Sequence, residues 1–318
     1  MTDHALPGRD LPTIDVLVDG ADAGLHPWVR EHVPEPERRA ALAEELEFWL
    51  GTAAQDLTYA TSYAEVAPMS GEPPASYLDR WLPLDAHTHV LVGPRYLGRD
   101  PDLPFMGVSG SQRPLVASDA EPLKALARAE FAPFDPKFVL VHTADEIGAW
   151  PGTRAEHRQM VGRLGDLRAR PTPAELTAAP RADTEIYDRY RGIFDLDVER
   201  DPVHARHTRA ETREDLQELA EQGLLLDVEV GGEWAGIVAA EPDARRGVRG
   251  ATVIELILDH PFRGRGYGRH LSTLLARGLP LPDDQCLIGT IHADNTTAYR
   301  SALAAGRVDV GGEIIVAL

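Results

Sequence analysis

Three glycines at alternating positions, Gly264, Gly266 and Gly268, follow an apolar run at residues 254–258 and are interleaved with Arg263, Arg265 and Tyr267. A leucine-rich amphipathic stretch, HLSTLLARG, comes next. Bare backbone between a strand and a helix does one kind of chemistry well. Unpaired amides at a helix N-terminus and the positive end of the helix dipole both favour an anion. Glycine lets a phosphate approach without a Cβ in the way. Spacing narrows the choice of anion. A Walker loop ends in Gly-Lys-Ser/Thr, and RGRGYGRHL lacks that ending. A dinucleotide fingerprint sits early in a parallel strand series, whereas these glycines come late and after an apparent hairpin.

Other reactive side chains lie close by in sequence. Glu255 precedes the loop on its strand, where partial burial would raise a carboxyl pKa toward that of a general base; a structural or substrate-orienting role is the alternative. His292 ends the next strand and is a second candidate base, or a satisfied neighbour of the core. Cys286, the single cysteine, is expected to begin a buried strand rather than to carry an acyl group. Further upstream, Asp85-Ala86-His87-Thr88-His89 puts two imidazoles on one strand face, as a metal site would. His142, His157, His204 and His207 fall into no ligand spacing, so a strand-end histidine pair is the expectation, with no metal.

These residues sit in a chain of 318, long enough for two cores, with a net charge of -19 and no basic stripe. Nucleic acid is therefore not an expected partner, and a small, cationic amine would suit the field better. One cysteine permits no internal disulfide, and no run of about 18 apolar residues occurs, so a cytoplasmic protein that does not span a membrane is expected. A homodimer is left open.

The elements that must position the chemistry follow from periodicity. PEPERRAALAEELEFWLG predicts a helix over residues 36–50, THVLVGPRYLG, PFMGVSGS and KFVLVHT predict strands, and DAEPLKALARAEF predicts a helix capped by Asp119. TRAEHRQMVGRLGDLRAR is read as a helix, and the Pro/Ala/Thr-rich PTPAELTAAPRADT as the connection between units 1–180 and 181–318. From about Thr208 the order is helix, hairpin at Gly231-Gly232, strand, glycine loop, helix, strand, helix led by Asn295, strand. The expected class is α/β, with a mixed sheet.

Arg263, Gly266 and Gly268 after an apolar strand, with Gly264 and Arg265 as a common variant, resemble the Arg/Gln-x-x-Gly-x-Gly/Ala loop of the GNAT superfamily of acyl-CoA N-acyltransferases. The resemblance covers roughly the last 110 to 135 residues of the chain, up to the end at Leu318. It implies a GNAT fold preceded by an α/β extension or a degenerate second copy. Further implications are acetyl-CoA as cosubstrate, pyrophosphate on the amides of Arg263, Gly264, Arg265, Gly266, Tyr267 and Gly268, and pantetheine along Leu256, Ile257 and Leu258. Asn295 would then contact the pantetheine arm, and a primary amine would attack the thioester directly. The usual tyrosine acid, seven residues after the asparagine, is replaced by Ala302, leaving Tyr299 as the nearest phenol; Arg307 stands where an aromatic residue is usual. A CoA-binding protein without transfer activity is the alternative implied by those departures.

Overall fold

A computed structural model describes residues 10–66, 71–200 and 210–318. The expectations for His204, His207 and Thr208 fall outside that range. In chain order the elements are α1 (Ile14–Ala23), α2 (Pro27–His32), α3 (Glu35–Glu47), α4 (Leu57–Ala64), β1 (Arg80–Pro83), β2 (His89–Tyr96), β3 (Pro104–Ser111), α5 (Ala120–Glu130), β4 (Phe138–Thr143) and β5 (Arg154–Arg163). There follow α6 (Leu164–Arg168), β6 (Leu176–Pro180), α7 (Tyr187–Arg200), α8 (Arg213–Glu221), β7 (Leu225–Val230), β8 (Glu233–Arg245), β9 (Val248–Leu258), α9 (Leu271–Gly278), β10 (Cys286–His292), α10 (Thr296–Ala304) and β11 (Val308–Ala317). The class is mixed α/β.

Two compact units share these elements, and the chain passes between them more than once. The first comprises Met1–Glu156, Ala244–Val248 and Val310–Leu318; the second comprises His157–Asp243 and Arg249–Asp309. This differs from the division at residue 180. The end of the chain belongs to the first unit because β11 pairs antiparallel with β4, Ile314 opposite Val141. In that unit β1, β2 and β3 form an antiparallel meander, and β4 lies parallel to β3. Its core gathers Tyr77, Leu78, Met106, Leu123, Phe131, Val139 and Trp150 around the sheet, with Leu17, Leu42 and Leu46 of α1 and α3 in a second cluster.

Within the second unit the strand order is β5-β10-β9-β8-β7-β6. β10 runs antiparallel to β5 and parallel to β9, while β6 and β7 pair antiparallel at the far edge. Two expectations are corrected here. The segment read as a helix is β5 followed by the short α6, because β5 is buried on both faces and shows no period of two. The supposed linker contains β6, an edge strand in which only Leu176 is buried, so its composition looked like a connection. The helix α7 was not anticipated at all. α9 is held by complete or near-complete burial of Leu271, Leu274 and Leu275, each worth roughly 1.5–3 kcal/mol of transfer free energy, which fixes its first turn against the glycine loop.

Candidate functional site

β9 and β10 are joined by a parallel ladder of three pairs, Gly250 to Cys286, Ala251 to Leu287 and Thr252 to Ile288. Beyond Thr252 that ladder ends while both strands continue, β9 to Leu258 and β10 to His292. Val253, Ile254, Glu255 and Leu256 are accordingly half-buried, an uncommon state for four successive residues of an interior strand. The edge of β9 thus opens in front of the glycine loop.

The loop is anchored from behind and free in front. Phe262 is buried at its start, and Asp259 caps the turn by accepting from the His260 amide at 2.7 Å. Arg263 points backward: its Nε donates to the Leu258 carbonyl at 2.7 Å and its two Nη atoms donate to Asp197 of α7 at 2.7 and 3.0 Å. Its own amide donates to the His260 carbonyl at 3.2 Å. Arg263 is therefore an anchor of the loop, which corrects the expectation that its amide faces an anion. Among the described residues no acceptor takes a hydrogen bond from the amides of Gly264, Arg265, Gly266, Tyr267 or Gly268. Gly264 and Gly266 have φ of 75° and 85°, which an L side chain rarely adopts, and a Cβ on either would meet nothing within 4 Å. Arg265 and Arg269 have no carboxylate partner among the described residues, notable in a chain of charge -19. Arg265 lies over the Phe262 ring at 5.7 Å and Arg269 donates to His270 at 3.3 Å, so free amides, a helix N-terminus and two guanidiniums without a carboxylate give this loop the make-up of an anion cradle. Tyr267 completes it on one side, donating to Glu175 at 3.3 Å. On the other side Ser301 of α10 approaches, its hydroxyl 3.4 Å from where a Cβ on Gly268 would stand.

Glu255 lies on the open part of β9. Tyr190 of α7, fully buried, donates its hydroxyl to Glu255 Oε2 at 2.9 Å and accepts from the Glu211 amide at 2.9 Å. The Leu256 amide donates to Oε1 at 3.0 Å. Burial pushes the Glu255 carboxyl up to about 7; the Tyr190 and Leu256 hydrogen bonds oppose that rise and the nearby Glu211 carboxylate adds to it. A carboxyl poised there can take a proton near neutrality. Neither Tyr190 nor Glu211 was singled out from sequence. The stripe Tyr187, Tyr190, Ile193, Phe194 has helical spacing and could have revealed α7 beneath its charges.

The remaining candidates have their own partners. His292 is buried, its Nδ1 accepts from the Asp294 amide at 3.2 Å, and its ring meets His157 edge-on at 5.4 Å. Asn295 caps α10, accepting from the Ala298 amide at 3.0 Å, so its carbonyl oxygen is used within the chain. Tyr299 donates to Asp309 Oδ2 at 2.8 Å, and Asp309 is also held by Arg158 through Nε at 2.9 Å and Nη2 at 2.8 Å. Cys286 opens β10 and burial pushes its thiol up to about 12, which disfavours the nucleophilic thiolate. His89 opens β2 with its ring stacked on Trp81 at 5.7 Å, while His87 is exposed in the preceding turn.

The first unit repeats one feature of the second. β3 and β4 also share a three-pair parallel ladder, from Phe105–Phe138 to Gly107–Leu140, with α5 as the crossover. A cavity of about 330 Å³ lies past its end, with Leu25, Leu42, Ser109, Ser111, His142 and Arg246 in its lining. Arg246 in its lining pairs with Glu45 at 3.3 Å, and Asp145 accepts from Trp150 at 2.8 Å. In the first unit the loop before α5 has no glycine cradle; Arg113 there is tied to Asp119 at 2.7 Å. Bare backbone at a helix N-terminus and a carboxyl raised to about 7 coincide in the second unit.

No family model and no curated protein matches the chain. Among solved structures it is similar to an acetyltransferase of the GNAT family from Colwellia psychrerythraea, 12% identical with a TM-score of 0.43 over 71% of this chain and 84% of that one. It is also similar to a GCN5-related N-acetyltransferase from Kribbella flavida, 15% identical with a TM-score of 0.42 over 82% and 95%. A tandem GNAT protein from the clavulanic acid biosynthesis pathway is 12% identical with a TM-score of 0.39 over 72% and 78%.

Proposed function

We propose that the second unit is a GNAT-type N-acyltransferase that moves an acetyl group from acetyl-CoA to a primary amine. The observation that carries this reading is the juxtaposition, on one strand, of an open backbone edge, a carboxyl titrating at about 7 and an anion cradle at the following helix. The residues fit a nucleotide thioester: the space in front of Gly264 and Gly266 is clear, and the amides of residues 264–268 are free to hold a pyrophosphate. Bound acetyl-CoA supplies the acyl carbon, to which the amine nitrogen bonds as the C–S bond breaks and CoA leaves as the thiolate, which takes its proton from water.

Glu255 takes the proton the amine must lose, and Tyr190 holds the carboxylate in place. The open edge of β9 at Leu256 to Leu258 orients the pantetheine arm, and an amide near Leu258 polarises the thioester carbonyl. The acidic field of the chain favours a cationic, small-molecule amine.

A second reading, a CoA-binding sensor without transfer, is favoured by α10, where Ala302 is buried and the Tyr299 hydroxyl is spent on Asp309. Thiol release from acetyl-CoA with a panel of primary amines separates the two. Release with at least one amine supports transfer; a melting-temperature shift with acetyl-CoA but no release supports the sensor; no shift overturns both. Tyr299→Phe refines the first outcome. Because its hydroxyl serves Asp309, the variant should lose about 0.5–1.5 kcal/mol of stability and keep kcat within a few fold. A drop of about 10²-fold in kcat with unchanged stability would instead make Tyr299 the proton donor to the thiolate.

A further inference from the structure

Arg307 is a buried cation that the scheme above leaves unused. It is 3% exposed, and among the described residues no carboxylate pairs with it. Burial lowers its guanidinium to about 10, so it stays charged at neutral pH. Among the described residues its guanidinium makes one hydrogen bond, from Nη2 to the Met160 carbonyl of β5 at 2.8 Å. Buried charges are ordinarily paired, because an unpaired one costs several kcal/mol of lost hydration.

The position of this charge is specific. Nη2 stands 2.0 Å from where a Cβ on Gly289 would be, and the Arg307 stem stands 3.2 Å from where one on Gly162 would be, so two glycines on adjacent strands leave room for it. Gly289 is the first residue of β10 past Ile288, the last of the ladder with β9. The guanidinium therefore lies over β10 at the level where β9 and β10 part, and bonds toward β5. A substrate extending along the open edge of β9 from the glycine loop runs toward that level of the sheet.

We propose that Arg307 receives a carboxylate carried by one of the two substrates, and so sets which acyl group or which amine the site accepts. This rests on the acyltransferase reading. The carboxylate has two possible sources: the far end of a dicarboxylic acyl group such as malonyl or succinyl, or the α-carboxylate of an amino acid acceptor. Either would meet a preformed, desolvated guanidinium, whose charge-assisted and bidentate bonds are the strong class. In the first case the same bonds are made and broken as with acetyl-CoA, the amine displacing CoA thiolate and its proton passing to Glu255. The second changes only the acceptor.

Two comparisons on the full chain identify the source. One measures kcat/KM for acetyl-, malonyl- and succinyl-CoA with a single uncharged-tail amine. The other uses acetyl-CoA with an amino acid and with its decarboxylated amine. In one of them the carboxylate-bearing substrate is expected to win by at least about tenfold. Arg307→Met should erase the preference while the melting temperature of the ligand-free protein holds or rises, because a buried uncompensated charge has been removed. Should Arg307→Met fail to fold, Arg307→Lys keeps the charge without the fork and should lower the preference in part. Turnover of acetyl-CoA with no carboxylate preference in either comparison, or a preference that survives both variants, overturns this role for Arg307. Absence of acyl-CoA binding altogether, seen as no melting shift with any of the three thioesters, overturns the acyltransferase reading itself.

Discussion

Glu255→Gln is expected to lower kcat at pH 8 by about 10²-fold or more while leaving the affinity for acetyl-CoA within about twofold. The amide keeps the shape and its oxygen can still accept from one of the two donors, Tyr190 or the Leu256 amide, but it cannot take a proton. In the parent protein the rate should fall on the acid side of about 7, the value to which burial raises this carboxyl. Tyr190→Phe removes a hydrogen bond that favours the charged form, so that acid limb should move to higher pH without a change in acetyl-CoA affinity. A stability measurement checks the same assignment without any substrate. The folded-state pKa lies above the ordinary 4.5, so between about 4.5 and 7 the folded chain keeps a proton that the unfolded chain has lost. The Glu255 contribution to stability is therefore fully present below about 4.5 and is lost as pH rises through about 7. Relative to the parent, Glu255→Gln should gain stability across that window. An unchanged rate profile together with parallel stability curves would make Glu255 structural and leave His292 as the next base to test.

What could be read from sequence, and what could not, divides along the range of the signal. The glycine loop, the hairpin at Gly231-Gly232, the helix led by Asn295 and the strands β7 to β10 rest on local patterns, and local patterns survive in a linear reading. β5 does not. Its polar residues Glu156, Arg158 and Gln159 are buried, and Arg158 finds its partner Asp309 only 151 residues later, so the stretch carries no period that marks a strand. β11 belongs with β4 across an even longer interval, which is why a division at residue 180 looked sufficient. The site divides in the same way. Gly264, Gly266 and Glu255 were visible by type and spacing, whereas Tyr190 above Glu255, the backward turn of Arg263 onto Asp197, and the diversion of Tyr299 to Asp309 depend on tertiary contacts.

Gly266→Asp is expected to abolish acetyl-CoA binding. At a ligand concentration about 100 times the dissociation constant, linkage stabilises the parent by about 2.7 kcal/mol, a rise of roughly 2–4 °C or more in melting temperature for a protein of this size. Two independent effects remove that rise in the variant. The backbone at Gly266 has a φ of 85°, so a Cβ there is strained and the loop must shift to relieve it. The new carboxylate would also stand in the open space in front of the free amides, repelling a pyrophosphate and competing for the same donors. Gly266→Ala separates the contributions, since it brings the Cβ without the charge; it should weaken binding less than Gly266→Asp. The ligand-free variants should differ little from each other in stability, because a side chain at this position meets nothing within 4 Å. Arg265 and Arg269, which have no carboxylate partner among the described residues, give the complementary sign: neutralising both should weaken binding most at low salt and less as screening shortens the reach of their charge. An acetyl-CoA shift that persists in Gly266→Asp would place the pyrophosphate elsewhere, and the open edge of β9 would then need another occupant.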